Sequence, residues 1–95
     1  MTVSFTEARE AVEDLRVSDW SGTWGTLYVS PDGFADEDDY LVVWGPREYI
    51  VDDNPYFILL NNTATFVDRQ TGEVRDVPYA LHLDKIDAMA PVRAE

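Results

Sequence analysis

The stretch YLVVWGPREYIVDDNPYFILLNNTATFVDRQTGEVRDVP, residues 40–78, decides the fold. Short apolar runs rich in aromatic and β-branched residues alternate there with Gly, Pro, Asn and Asp, the composition of strands separated by turns. These runs predict strands over residues 40–44, 56–60 and 64–68. Because residues 56–60 are apolar throughout, we expect them to be covered on both faces and to form the central strand.

A β-hairpin is predicted at the end of this stretch. Residues 64–68 and 73–78 have strand composition, and the segment from Asp68 to Gly72 joins them. Gly72 can adopt the positive φ that closes a type I turn with a bulge. Pro78 has no amide donor and is expected to end the second strand.

A helix is predicted over residues 4–16 at the N-terminus. Ser4 followed by Glu7 matches a capping box, and apolar residues recur after it at helical spacing. The apolar face consists of Phe5, Ala8, Val12 and Leu15, and the outer face carries Glu7, Glu10, Glu13 and Asp14. We therefore expect this helix to pack on the sheet.

Two segments between the helix and residue 40 have different predictions. Residues 23–29 alternate as a strand does. Residues 30–39, SPDGFADEDD, are predicted to be a loop, because β-turn residues are followed by four consecutive acids. These acids do not have the spacing of a calcium-binding EF-hand loop, so a solvated loop or a contact with a basic partner is expected.

The remaining segments are less regular. Gly45-Pro46 is expected to break the strand at 40–44, and a half turn or short edge segment is predicted at 47–51. Residues 80–89 fit either a short helix capped by Asp84 or a strand. Residues 91–95 are predicted to form a loose tail.

The length of 95 residues fits one domain with one modest core. The fold class is predicted to be α+β, with the N-terminal helix packed on an antiparallel sheet of about five strands.

Composition narrows the classes of function. Nineteen acidic and seven basic residues give a net charge of −12, which repels nucleic acid and anionic membranes and favours a basic partner. Cysteine is absent, and the N-terminal segment has no features of a signal peptide or membrane anchor, so a cytoplasmic location is predicted.

The sequence contains no catalytic motif. His82 is the only histidine, and phosphate-binding and nucleophile motifs are absent, so we predict a protein that is not an enzyme and has no cofactor or metal. Two alternatives stay open. One is a ligand-binding or enzymatic pocket between helix and sheet with carboxylates near His82, and the other is a homodimer paired through a strand edge.

The order of segments also resembles a known family. The pattern consists of the helix at residues 5–15, the strand at 24–29, the segment LVVWGPREYI at 41–50 and the segment NNTATFVDRQTGEV at 61–74. Over residues 5–88 it resembles the small YrhB-type immunity proteins of bacterial polymorphic toxin systems. This resemblance implies a non-enzymatic inhibitor that binds and neutralises a cognate toxin domain.

Six residues are candidates for contact with such a partner. An acidic surface steers a basic partner, and aromatic side chains supply buried contact area. The predicted steering residues are Asp36, Glu37, Asp38 and Asp39, and the predicted contact residues are Trp44 and Tyr49.

Overall fold

The computed structural model describes residues 2–57 and 63–94. Its first element is helix α1, Phe5–Val17, with Ser4 as the N-cap. The Ser4 Oγ accepts a hydrogen bond from the Glu7 amide at 3.1 Å, and the Glu7 carboxylate accepts one from the Ser4 amide at 3.0 Å. The predicted capping box and the predicted helix are therefore confirmed.

The described residues form two antiparallel sheets. The strands are β1 Leu27–Val29, β2 Asp32–Ala35, β3 Asp39–Leu41, β4 Trp44–Pro46, β5 Thr63–Asp68, β6 Val74–Pro78 and β7 Ala90–Arg93. One sheet pairs β1 with β4, and the other has the order β6-β5-β3-β2-β7. This arrangement confirms the α+β class and the antiparallel sheet of about five strands.

The larger of two hydrophobic clusters among the described residues lies between α1 and the sheets. Phe5, Ala8 and Val12 on α1 are buried against residues of several strands. The other members of this cluster are the strand residues Val29, Ala35, Tyr40 and Val67, together with Val42, which connects β3 to β4. Leu15 was predicted on the buried face but is exposed, whereas Glu7, Glu10, Glu13 and Asp14 face solvent as predicted.

The β5–β6 hairpin has the predicted form. Val67 pairs with Val74, and β6 ends at Pro78. Gly72 has a φ of 78°, the left-handed conformation expected of it. The Asp68 carboxylate accepts hydrogen bonds from the Gln70 and Thr71 amides, which stabilises the turn.

The predictions for residues 23–39 were wrong in two places. The strand predicted at 23–29 begins only at Leu27, because Gly22–Trp24 forms a 3₁₀ turn that ends at Gly25 with a φ of 101°. The predicted loop at 30–39 contains β2 and the first residue of β3. Gly33 makes β2 possible, since a Cβ there would lie 2.6 Å from the Leu41 carbonyl oxygen and from the Phe5 ring.

The strand predicted at 40–44 is two strands in different sheets. β3 ends at Leu41 in the larger sheet, and β4 begins at Trp44 in the smaller one. Gly45-Pro46 continues β4 instead of breaking it, because Pro46 occupies the end of a short two-stranded ribbon, where proline is tolerated. The one-turn helix α2, Arg47–Ile50, follows directly.

The predicted central strand at 56–60 does not form at its beginning. Pro55–Phe57 is a 3₁₀ turn in which Tyr56 is 94% exposed, and residues 58–60 lie outside the described residues. The central position of the larger sheet belongs to β3. Apolar character alone did not distinguish an exposed turn from a buried strand.

The C-terminal region contains a helix and a strand. Helix α3, Leu83–Ala88, settles the open choice for residues 80–89, although its N-cap is His82 and no side chain caps it. The predicted tail instead contains β7, which pairs with β2 along Asp32–Ala35. Pro91 is accommodated because β7 is an edge strand.

Candidate functional site

The acidic segment 36–39 forms the turn between β2 and β3. The Asp36 Oδ1 accepts hydrogen bonds from the amides of Asp38 at 2.9 Å and Asp39 at 2.8 Å. An aspartate that bonds the backbone two and three residues ahead folds the chain into a tight turn. This local bonding allows a strand to begin at Asp39 in spite of the four consecutive acids.

Two of the four acids are neutralised inside the protein. The Asp39 side chain is only 5% exposed, and its Oδ2 lies 3.1 Å from Arg75 Nη2 and 3.0 Å from Lys85 Nζ. Lys85 Nζ also lies 2.5 Å from the Asp36 Oδ2. A buried carboxylate requires such partners, because charge is strongly destabilised when it leaves water unpaired.

These contacts shift the pKa values of Asp36 and Lys85. Partial burial raises the pKa of Asp36, but the hydrogen bonds from Lys85 and from the turn amides outweigh it and hold the pKa below its usual value. Burial likewise lowers the pKa of Lys85, while the bonds to Asp36 and Asp39 raise it overall. Asp36 and Lys85 therefore both stay charged at neutral pH.

Glu37 and Asp38 are the exposed members of the acidic segment. The structure thus divides the four predicted steering residues into an internal pair, Asp36 and Asp39, and a solvent-facing pair. The solvent-facing pair is the one that a partner can approach without breaking an ion pair.

Trp44 lies at the junction between the two sheets. Its Nε1 donates to the Thr65 Oγ1 at 2.7 Å, and Thr65 donates to the Asp76 Oδ1 at 2.7 Å. Asp76 also forms an ion pair with Arg16, whose guanidinium stacks 4.3 Å from the centre of the Trp44 ring. Trp44 is thereby half-buried and fixed in position.

The other two tryptophans pack on the same junction. Trp20 makes edge-to-face contacts with Trp24, at 5.4 Å between ring centres, and with Trp44, at 6.3 Å. The Trp20 Nε1 donates to the Gly25 carbonyl oxygen at 2.8 Å. These contacts connect the end of α1 to the two-stranded sheet.

Residues 20–29 and 44–57 form a unit that we call the small lobe. It contains the two-stranded sheet, α2 and both flanking 3₁₀ turns. Glu48 in α2 accepts hydrogen bonds from the Thr26 amide through both carboxylate oxygens, which joins α2 to the start of β1 and lowers the pKa of Glu48. Among its described side chains, the exposed large apolar residues are Trp24, Tyr49, Val51 and Tyr56.

Tyr49, the second predicted contact residue, is exposed in this lobe. Trp44 and Tyr49 are therefore brought into one part of the molecule, and the acidic turn 36–39 belongs to the larger sheet. Exposed acids, Asp52 and Asp53, follow α2 in the small lobe itself.

The basic residues are largely occupied by internal contacts. Arg9 donates to the carbonyl oxygens of Val29 and Ser30, and Arg69 donates to that of Asp36. The other basic residues in ion pairs are Arg16, Arg75, Lys85 and Arg93. Because most acids face solvent, the surface presents chiefly negative charge.

His82 packs against an aromatic side chain. Its ring makes an edge-to-face contact with Phe66, 5.8 Å between centres, and Lys85 Nζ lies 5.4 Å from the centre of the Phe66 ring. Among residues 2–57 and 63–94, no group of three or more His, Asp and Glu is arranged to hold a metal ion. Within that same range, no helix has the length and apolar character needed to cross a membrane.

A cleft of about 170 Å³ lies beside Trp44. It is lined by Leu41, Val42, Val43, Trp44, Thr63, Ala64, Thr65 and Tyr79. Sites for small ligands usually have roughly 300–1,000 Å³, so this cleft fits a single side chain better than a substrate. The interface between α1 and the sheet is filled by Ala8 and Val12, both fully buried.

Sequence reasoning missed the partners that organise these sites. Lys85 is 49 residues from Asp36, and Arg16 is 60 residues from Asp76. No spacing rule connects residues so far apart, and only the antiparallel order of β6, β5 and β3 brings Arg75 to Asp39.

Searches with this chain against protein-family models, curated proteins and solved structures found no match. The resemblance to YrhB-type immunity proteins therefore stays a prediction made from the sequence.

Proposed function

We propose that this chain is a non-enzymatic protein-binding module of the immunity type, which neutralises a toxin by covering its active site. The observation that carries the proposal is the exposure of large apolar side chains on the small lobe, with Tyr56 exposed to 94%. Large apolar groups gathered on the surface of a soluble domain mark sites of protein association. Tyrosine and tryptophan are also the residues most enriched at the energetic centres of such interfaces.

The electrostatics of the surface support a basic partner. The net charge is −12, and the cations of the chain are largely engaged with its own carboxylates and carbonyl oxygens. Glu37, Asp38, Asp52 and Asp53 remain exposed. A field of one sign accelerates the approach of an oppositely charged protein, and salt reduces this acceleration.

The exposed acids and the exposed aromatic side chains have different roles in the proposed binding. The exposed acids guide a basic toxin domain toward the molecule, and Trp24, Tyr49 and Tyr56 provide the contact area. Trp44 is half-buried and holds the small lobe in place through Thr65. Inhibition follows from steric occlusion and requires no chemical step from this chain.

The first experiment is co-expression of the chain with the protein encoded by the adjacent gene. Growth rescue together with co-purification of a stable complex is the expected result. A harmless neighbour, or one that does not bind, would contradict the immunity function. A molar mass of twice 10.8 kDa for the chain alone would instead favour the homodimer.

Substitutions then locate the surface within the complex. Tyr49→Ser and Tyr56→Ser are each expected to weaken binding about tenfold or more, as for central interface residues. Tyr79→Ser is the control matched to Tyr49→Ser, because Tyr79 is about as exposed as Tyr49 but lies outside the small lobe. Equal effects of all three substitutions would show that the small lobe is not the binding surface.

A further inference from the structure

Lys85 is the only lysine of the chain, and it is held between two carboxylates. Its Nζ is 2.5 Å from the Asp36 Oδ2 and 3.0 Å from the Asp39 Oδ2. The ring of Phe66 lies on a further side, 5.4 Å from Nζ. The ε-amine thus has two charged acceptors and an aromatic face around it, and its side chain is 27% exposed.

This environment suppresses the nucleophilic form of the amine. Attack on an acyl group requires a neutral nitrogen with a free electron pair. Burial lowers the pKa of Lys85, but the hydrogen bonds to Asp36 and Asp39 outweigh it and raise the pKa above its usual value. The protonated form is therefore favoured, and its N–H groups point at the carboxylates.

We propose that Lys85 is a cryptic acylation site, closed in the folded chain and open only when α3 separates from the turn at Asp36–Asp39. The co-substrates are acyl thioesters and activated esters, a class that includes the carriers that attach proteins through isopeptide bonds. The ε-ammonium first loses a proton to solvent. The neutral nitrogen then forms a C–N bond to the acyl carbon, the second N–H proton goes to solvent, and the thiolate or alkoxide leaves with the electron pair.

Acylation also prevents the site from closing again. The amide product carries no positive charge, so among the described residues Asp39 keeps Arg75 as its one ion-pair partner. The Asp39 Oδ1 is buried and accepts no hydrogen bond from the described residues. A buried carboxylate with fewer partners is destabilising, and the added acyl group must occupy space beside Phe66. The modification therefore marks chains that have opened and keeps α3 detached.

The test uses an acetyl N-hydroxysuccinimide ester at a pH of about 8, near the ordinary pKa of an α-amine, so that about half of the α-amine or more is neutral and reactive. Acetylation of Lys85 is followed by peptide mass spectrometry, with the N-terminal α-amine of the same molecule as the internal reference. We expect Lys85 in the native chain to react about tenfold or more slowly than in urea, because the site must open first. Equal rates in native buffer and urea would overturn the proposal.

Two variants test whether Lys85 is protected by the charge of its carboxylate partners or only by its limited exposure to solvent. Asp36→Asn keeps the shape and the acceptor oxygen of the turn but removes the charge facing Lys85, and it should accelerate native acetylation several-fold. Asp38→Asn is the matched control, because Asp38 is exposed and belongs to the same turn without contacting Lys85. An Asp36→Asn chain that reacts no faster than Asp38→Asn would refute a protective role of the Asp36 carboxylate.

A third measurement tests the trapped state. Chain acetylated in urea and then returned to native buffer should show faster hydrogen exchange at the α3 amides than unmodified chain treated in the same way. Identical exchange would show that the acylated lysine is accommodated in the closed structure, contrary to the proposal.

Discussion

Replacing Thr65 by valine tests the polar chain that joins the two sheets. Thr65 is 2% exposed, and its hydroxyl accepts from Trp44 Nε1 and donates to Asp76, both at 2.7 Å. Valine has nearly the same shape, so the substitution removes two hydrogen bonds without leaving a cavity. The Trp44 N–H then loses its acceptor, whereas Asp76 keeps its ion pair with Arg16.

The expected loss follows from these partners. Leaving a buried donor unsatisfied costs about 1–3 kcal/mol, and we expect the lower half of this range because Trp44 is only half-buried. For a domain of this size the melting temperature should fall by about 4–8 °C for each kcal/mol. Urea denaturation followed by circular dichroism measures the change, and the m-value should stay the same.

Thr63→Val is the control, because Thr63 lies in the same strand and is exposed. A double-mutant cycle with Trp44→Phe, which removes the donor, should give a coupling energy of about 0.5 kcal/mol or more. A stabilising role of the Thr65 hydroxyl is refuted if Thr65→Val is as stable as Thr63→Val, or if the effects of Thr65→Val and Trp44→Phe simply add.

Other substitutions test the remaining features of the fold. Gly33→Ala should destabilise the protein by about 1–3 kcal/mol, since the added Cβ would collide with the Leu41 carbonyl oxygen and the Phe5 ring. Gly22→Ala is the control and should change the stability little, because a Cβ at Gly22 would enter open space. Ser4→Ala should lower the free energy of unfolding by about 1 kcal/mol, because the capping box is lost. Thermal denaturation measures the effects of the glycine and the serine substitutions. Burial raises the pKa values of Asp36 and Asp76, but hydrogen bonds from Lys85 and the turn amides to Asp36, and from Arg16 and Thr65 to Asp76, outweigh it and lower both pKa values overall. Their stabilisation is present above the unfolded pKa and is lost as pH falls through the folded pKa, so stability should decline below about pH 4. Asp36→Asn and Asp76→Asn should each flatten this decline in urea titrations; a decline of unchanged steepness would contradict the assignment.

Local signals in the sequence were sufficient for α1 and for the β5–β6 hairpin. In both cases the deciding contacts join near neighbours: Ser4 with Glu7, and Asp68 with Gln70 and Thr71. The α+β class also followed from these two elements and the apolar runs between them.

The other strands and the surroundings of the predicted partner residues depended on contacts that composition does not encode. Four consecutive acids argued against a strand at this point, yet Asp39 is the first residue of the central strand. It can be buried there because Lys85 and Arg75, from distant segments, neutralise its charge. Residues 90–93 became an edge strand only because β2 offered an unpaired edge. Of the predicted partner residues, Tyr49 lies on the surface, whereas the environment of Trp44 was set by Arg16 and Thr65.

The grouping of Trp20, Trp24 and Trp44 has a spectroscopic consequence. These are all the tryptophans of the chain, and they meet at the junction of the small lobe with α1 and the larger sheet. Intrinsic fluorescence therefore reports the attachment of the small lobe, while far-ultraviolet circular dichroism reports mainly the helices and the larger sheet. If the small lobe detaches before the rest unfolds, the fluorescence transition will precede the dichroic one, and no label is needed to see it.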